Sequence, residues 1–118
     1  MNKRQVAKTA TLVIETMIPQ EVSQWIKTEC HIVVDDLSNW DISLAKKTVK
    51  GKELLGIFGF ENGKPVIGLN HKIIETEQEV IKTTKHECAH FARWHLGLPN
   101  GERATTKLAH QWEGDCKL

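Results

Sequence analysis

Residues 76–97 constrain the fold more than any other part of the chain, because they contain a complete set of helix signals. Thr76 and Glu79 have the spacing of a capping box, in which each side chain accepts a hydrogen bond from the other residue's backbone N–H. Apolar residues then recur at helical spacing to the end of this segment, and Gly97 followed by Pro99 is typical of a helix end. The sequence therefore predicts a helix of about five turns with a defined start and end.

The same helix contains the motif His86-Glu87-Cys88-Ala89-His90. His86 and His90 are four residues apart, so their imidazoles project from one side of the helix and can bind one metal ion. Glu87 lies one residue along, from where its carboxylate can reach a water molecule that zinc makes more acidic. Cys88 lies about 200° around the helix from His86 and is predicted to be a core residue. The motif thus predicts a Zn²⁺ site with Glu87 as the general base of metal-assisted hydrolysis.

Catalytic zinc usually has three protein ligands and one open position, so a third ligand is needed. His95 is excluded because it lies about 180° around a continuous helix from His86. The remaining candidates lie beyond the end of this helix: Glu102, His110, Glu113 and Asp115. Glu102 is preferred, since it follows a tight turn that can fold its carboxylate back towards the histidines, and His110 is the next choice.

The N-terminal half of the chain predicts helices and one strand. Apolar residues recur at helical spacing over residues 6–26, which predicts one helix, or two helices joined near Pro19. The β-branched segment His31-Ile32-Val33-Val34 predicts a buried strand that ends at Asp35-Asp36. Residues 37–52 show no clear period and are predicted to form a loop, with room for a short helix.

Residues 53–69 give the clearest β signal. Two apolar segments are joined by Glu61-Asn62-Gly63, and Asn-Gly readily adopts the positive φ angles of a type I′ turn. Pro65 lacks a backbone N–H and belongs at a strand start or on an edge. Pro65 and the glycines at 56, 59 and 68 are compatible with an edge, so the predicted hairpin is a candidate for binding an extended substrate by strand addition.

A last short helix is predicted from near Glu102 to near Gly114. The predicted fold class is therefore α+β in a single domain over residues 1–118: an N-terminal helix, a small and mostly antiparallel sheet with a β-hairpin, the metal helix and a short C-terminal helix. This is a minimal zincin-like arrangement.

Charge and cysteine content limit the classes of function. The net charge is +1, from 16 basic and 15 acidic residues, which argues against a protein held on DNA mainly by phosphate neutralisation. No apolar run is long enough for a membrane span, and polar residues interrupt the N-terminal segment that a signal peptide would need. Three cysteines without a CxxC pair predict reduced thiols in a cytoplasmic protein.

Two further sets of residues have possible functional roles. A basic cluster is interpreted as a solvated loop, with a nucleic-acid contact as the alternative; it consists of Lys46, Lys47, Lys50 and Lys52. The sequence contains no tyrosine, and zinc peptidases commonly use Tyr, His or Arg to hold a developing oxyanion. The candidates for that role are Arg93, His95, His110 and His71.

Three segments together resemble the SprT-like family of small zinc metallopeptidases: Ile67-Gly68-Leu69-Asn70, the residues from Glu79 to His90, and Leu96-Gly97-Leu98-Pro99 with Glu102. The resemblance covers roughly residues 51–113 and is greatest with short phage and bacterial members. It implies that His86 and His90 are zinc ligands, that Glu87 is the catalytic base and that Glu102 occupies the third-ligand position.

The sequence thus predicts a cytoplasmic zinc metallopeptidase that hydrolyses a protein or peptide substrate through a zinc-activated water. The alternative is a non-catalytic zinc-stabilised module that binds protein or nucleic acid. In that module a fourth ligand would close the coordination sphere, supplied by His110, Glu113, Asp115 or Cys116.

Overall fold

The computed structural model describes residues 1–40, 46–51 and 53–115, and the side chains of all of these except residues 39 and 113–115. This part of the chain contains four helices, α1 (Lys3–Thr16), α2 (Gln20–Glu29), α3 (Glu77–His95) and α4 (Glu102–Asp115). It also contains four strands, β1 (His31–Asp35), β2 (Lys46–Lys50), β3 (Glu53–Glu61) and β4 (Lys64–Asn70), and a 3-10 turn at Leu37–Asn39. The predicted α+β class is confirmed.

The described strands form one mixed sheet in the order β1-β4-β3-β2. Strand β1 is parallel to β4, whereas β3 is antiparallel to both of its neighbours, β4 and β2. Helix α3 packs against β2, β3 and β4 and also contacts the other three helices of the described chain. The core between α3, α1 and the sheet contains Val13, Phe58, Leu69, Phe91 and other buried apolar residues. Helix α3 is therefore the central element of the fold.

The local signals around α3 and the hairpin have the predicted geometry. The Thr76 and Glu79 side chains form the reciprocal capping box at the start of α3. At its end Gly97 has φ +69°, and Leu98 N–H donates to the Arg93 carbonyl in a Schellman arrangement. The turn between β3 and β4 has φ +53° at Asn62 and +79° at the glycine that follows, as a type I′ turn requires.

Most of the N-terminal predictions are also confirmed. The segment at residues 6–26 forms two helices, and Pro19 lies directly before α2, where its missing N–H costs no hydrogen bond. Strand β1 ends at Asp35, as predicted. The prediction that it is buried is wrong, because β1 is an edge strand of the described sheet, with His31 exposed and the other residues half-buried. Cys30 and Cys88 are free thiols, and Cys88 is fully buried in the core as predicted. Cys116 lies outside the described residues.

The prediction of a loop over residues 37–52 is wrong for Lys46–Lys50, which form strand β2. Charged residues point to both faces of this short strand, so its sequence shows no apolar alternation. Lysines are common on exposed edge strands because they discourage pairing with other chains. Lys50 is fixed by Glu79 of α3, with 3.0 Å between Nζ and Oε2. Lys52 lies outside the described residues.

The prediction that the hairpin supplies the edge beside the metal helix is also wrong. Its strands β3 and β4 lie inside the sheet, because β2 and β1 pair with their outer sides. The edge strand next to α3 is therefore β2. Pro65 is tolerated at the start of β4 because the pairing with β1 begins one residue later, at Val66.

Gly56 allows α3 to lie close to the sheet. A Cβ atom at this position of β3 would lie 2.6 Å from Cγ2 of Thr83 and 3.5 Å from Cγ of Glu87, both on α3. The helix that carries the predicted site can thus approach β3 because this residue has no side chain.

In residues 1–40, 46–51 and 53–115, none of the helices combines the length and the apolar character that crossing a membrane requires.

We expect Gly56→Ala to lower the free energy of unfolding by about 1–3 kcal/mol, because the new methyl group overpacks the contact with Thr83. Urea denaturation measures the change. Thr83→Ser removes the methyl group with which the new Cβ would clash and serves as the matched background. In this background Gly56→Ala should lower the free energy of unfolding by less. An equal cost in both backgrounds would contradict the assigned contact.

Candidate metal centre

Helix α3 brings His86, Glu87 and His90 together at its contact with α4 and the sheet. One ligand atom of each residue lies within 4.8 Å of those of the other two, which is close enough for one metal ion. Glu87 and His90 are fully buried, and the His86 side chain is 16% exposed. The spacing of the motif therefore produces a cluster of donor atoms that is open to solvent on the side of His86.

Glu102, the first residue of α4, places its carboxylate between the two imidazoles. Its Oε2 atom lies 2.9 Å from Nε2 of His86, and its Oε1 atom lies 3.0 Å from Nε2 of His90. Two atoms that bind one zinc ion tetrahedrally at about 2.0–2.1 Å lie roughly 3.3 Å apart. Each imidazole thus lies at a distance from the Glu102 carboxylate that a shared ion spans after a small adjustment.

The turn between α3 and α4 fixes the orientation of His90. Asn100 Nδ2 donates to the His90 carbonyl over 2.9 Å, which leaves Asn100 Oδ1 as the acceptor for the imidazole Nδ1–H at 2.6 Å. Thr105 Oγ1 lies 3.2 Å from the same Oδ1 atom. A proton on Nδ1 leaves the Nε2 lone pair available, which is the tautomer that a metal ligand needs.

Two buried polar atoms at this place make no hydrogen bond among the described residues: Oε2 of Glu87 and Nε2 of His90. With its proton on Nδ1, His90 presents an Nε2 lone pair to the Glu102 oxygen at 3.0 Å, and two acceptors cannot hydrogen-bond to each other. A buried polar atom without a partner costs about 1–3 kcal/mol. Both atoms belong to the cluster, and a divalent cation with its coordinated water would satisfy them. The residues that are present therefore fit a metal ion.

Strand β2 positions the carboxylate of Glu87. Thr48 Oγ1 donates to Glu87 Oε1 over 2.9 Å, so the second oxygen is the one left without a partner. Burial raises the pKa of Glu87 to about 8, the Thr48 hydrogen bond opposes this rise, and the negative charge of Glu102 adds to it. A cation bound beside Glu87 would favour the ionised form.

His90 has the opposite shift. Burial lowers the pKa of the His90 imidazole, and the hydrogen bond to Asn100 opposes this effect. The ring is therefore held neutral near pH 7, which is the form that binds metals.

The other predicted site residues are engaged elsewhere or line the surface next to the cluster. His95 contacts Glu29 at 2.6 Å, and Arg93 Nε donates to the Pro99 carbonyl at 2.6 Å. His71 Nδ1 lies 3.3 Å from the Met1 carbonyl oxygen. These contacts leave them no part in the cluster.

His110 lies on α4 and lines a groove that leads to His86 and Glu102. The groove has a volume of about 600 Å³ and lies between β2, α3 and α4. Such a volume is typical of ligand sites in proteins. The side chains of Glu113 and Asp115, which are alternative ligands in the sequence, lie outside the described part of the chain, as does Cys116.

Asn100, Thr105 and Thr48 are site residues that the sequence analysis missed. Pro99-Asn100-Gly101 is a turn by its composition, and that signal conceals the contact with His90. Thr48 lies 39 residues from Glu87, and nothing in its local sequence indicates the contact.

Models of protein families, curated proteins and solved structures were each compared with the chain, and none of them matches it.

With Zn²⁺ as the probe ion, we expect Asn100→Ala to weaken metal binding at this site by about 10–100-fold, because the His90 ring loses the acceptor that fixes its orientation and tautomer. Asn100→Asp keeps an acceptor oxygen and should retain most of the affinity. Competition with a chromophoric chelator measures both variants. Equal affinities for Asn100→Ala and the unmodified chain would exclude the supporting role of Asn100.

For the metal-free protein, we expect the contribution of Glu87 to the free energy of unfolding to fall as pH rises from about 4.5 to about 8. The Glu87 carboxyl has an ordinary pKa of 4.5 and a folded pKa of about 8, so the folded state binds more protons in this interval. Over this interval the contribution of Glu87 changes by up to roughly 1.4 kcal/mol per pH unit. Urea denaturation at several pH values, with a chelator present, measures the free energy of unfolding. This free energy should depend less on pH in Glu87→Gln than in the unmodified protein. An equal pH dependence in the two proteins would refute the assignment to Glu87.

Proposed function

We propose that this protein is a zinc-dependent metallopeptidase of the SprT-like type, which hydrolyses peptide bonds. The observation that carries the proposal is the convergence of two imidazole Nε2 atoms and the Glu102 carboxylate beside a fully buried second carboxylate, Glu87. Metal-assisted hydrolysis needs these groups: three donors to hold the ion, and a base that does not itself bind the ion.

The choice of zinc follows from the donor set. Two neutral imidazoles and one carboxylate are a common ligand set of catalytic zinc, whereas calcium and magnesium prefer oxygen donors. The ligands in the proposal are His86, His90 and Glu102. When bound, the ion would polarise the scissile carbonyl and make a water molecule more acidic.

Glu87 is the general base in this proposal. Thr48 holds its Oε1 atom, which leaves Oε2 for the proton of the attacking water. The same atom then returns the proton to the leaving amine, so that the carboxylate ends the reaction in its starting form. The buried environment strengthens both the base and its electrostatic interaction with the reacting groups.

His110 is the candidate donor for the developing oxyanion. Of the residues considered for this role, Arg93, His95 and His71 have their ring or guanidinium nitrogens at other contacts. His110 shares the groove with His86 and Glu102, so it faces the space in which a substrate carbonyl would lie.

A catalytic role is favoured over a closed structural zinc site. Among the described side chains, the donor cluster comprises His86, Glu87 and His90, joined by Glu102, and Thr48 holds one of the two Glu87 oxygens. Glu87 is the base and not a ligand in this proposal. Three ligands leave one position of a tetrahedral ion, and the groove reaches the cluster.

The proposal is tested with Glu87→Gln. We expect this variant to retain zinc and to lose peptide hydrolysis by about 10²–10⁴-fold, because the amide cannot accept the proton. Bound zinc is measured by elemental analysis, and hydrolysis is measured with a mixture of unstructured fluorogenic peptides.

Glu77→Gln is the matched control, since Glu77 is exposed in the first turn of the same helix. It should hydrolyse the peptides at the unmodified rate. Unchanged hydrolysis by Glu87→Gln would refute the proposed mechanism, and a protein that takes up no zinc at saturation would refute the metal site.

A further inference from the structure

The groove that reaches the metal centre has a cationic wall. Its basic lining residues include Lys47 on β2 and Lys82 and Lys85 on α3, together with His110 on α4. Among the described residues that line it, Glu102 is the single acid, and in the proposed site its charge is used by the metal. An anionic occupant would therefore be attracted to the groove.

Lys47 and Lys82 are exposed, and neither has an ion-pair partner in the described part of the chain. Lys50, on the same strand as Lys47, differs because Glu79 binds it at 3.0 Å. Glu79 thus compensates the charge of Lys50, whereas the charge of Lys47, which lines the groove, has no compensating partner among the described residues.

We propose that the substrate is an acidic peptide, whose Asp or Glu side chains bind to Lys82 on one side of the scissile bond and to Lys47 on the other. This inference rests on the proposed peptidase function and names its substrate class.

The position of the acidic residue follows from helix geometry. Lys82 precedes His86 by four residues, which corresponds to about 6 Å along the helix axis. An extended peptide advances about 3.3 Å per residue. A carboxylate that contacts Lys82 thus belongs to a residue about two positions from the bond that lies at the metal.

The groove suits an acidic peptide better than a nucleic acid. No Phe, Trp or Tyr side chain lines the described groove, whereas single-stranded nucleic acids are bound by stacking their bases on such rings. The exposed aromatic residue Trp94 lies eight residues beyond His86, in the direction opposite to Lys82, and contacts Phe60. A volume of about 600 Å³ accommodates a few peptide residues.

The test measures binding and hydrolysis separately. Three labelled ten-residue peptides carry Glu, Gln or Lys at the positions two residues to each side of the central bond and are otherwise identical. Binding to the zinc-loaded Glu87→Gln variant is measured by fluorescence anisotropy. We expect the Glu peptide to bind about tenfold more tightly than the Gln peptide, and the Lys peptide to bind most weakly.

Charge reversal tests the two lysines. In the same background, Lys47→Glu with Lys82→Glu should reverse the order, so that the Lys peptide binds best. Lys8→Glu with Lys27→Glu changes the net charge equally at exposed positions of α1 and α2 and should preserve the original order.

Equal binding of the Glu and Gln peptides would overturn the inference. Unchanged selectivity after charge reversal at Lys47 and Lys82 would also overturn it. So would displacement of the Glu peptide by a single-stranded oligonucleotide at a lower concentration than unlabelled Glu peptide requires. Hydrolysis of the three peptides by the unmodified protein separates the two proposals. Cleavage without charge preference rejects only the acidic substrate, and charge-selective binding without any cleavage rejects the peptidase.

Discussion

The burial of two ionisable side chains, Glu87 and His90, is the constraint on which the rest of the structure depends. Both are fully buried on the central helix, where a polar group without a partner is costly. The residues that contact these two side chains come from different elements: Thr48 from the edge strand, Asn100 from the turn after α3, and Glu102 from α4. These contacts fix the edge strand and the last helix against α3, and the same contacts build the candidate metal centre.

The close approach of α3 to the sheet completes this arrangement. Gly56 leaves room for the helix at Thr83 and Glu87. The strand order then places β2, the outer neighbour of β3, beside Glu87. Strand β2 also lines the groove, through Lys47, Thr48 and Val49, and the first two have separate roles in the proposals. Thr48 orients the proposed catalytic group, and Lys47 charges the wall along which a substrate would lie. A single short strand thus links the proposed chemistry to the proposed choice of substrate.

Prediction from sequence succeeded where the signal is local. The start and end of α3, the type I′ turn at Asn62 and the division of the N-terminal helices at Pro19 each depend on a few neighbouring residues. It failed for β2, where Lys46–Lys50 show no apolar alternation and pair because β3 presents an open side. It also failed for the sheet edge, since only the partners β1 and β2 decide that β3 and β4 lie inside.

The sequence by itself determined that His86, Glu87 and His90 share one region of a capped helix, because helical periodicity fixes the relative directions of their side chains. It preferred Glu102 for the third position and left His110, Glu113 and Asp115 as alternatives. Only the tertiary structure decided that the Glu102 carboxylate lies between the two imidazoles, that Asn100 orients His90 and that Thr48 holds Glu87. These contacts join residues 10 to 39 positions apart, and their geometry depends on how α4 and β2 pack against α3.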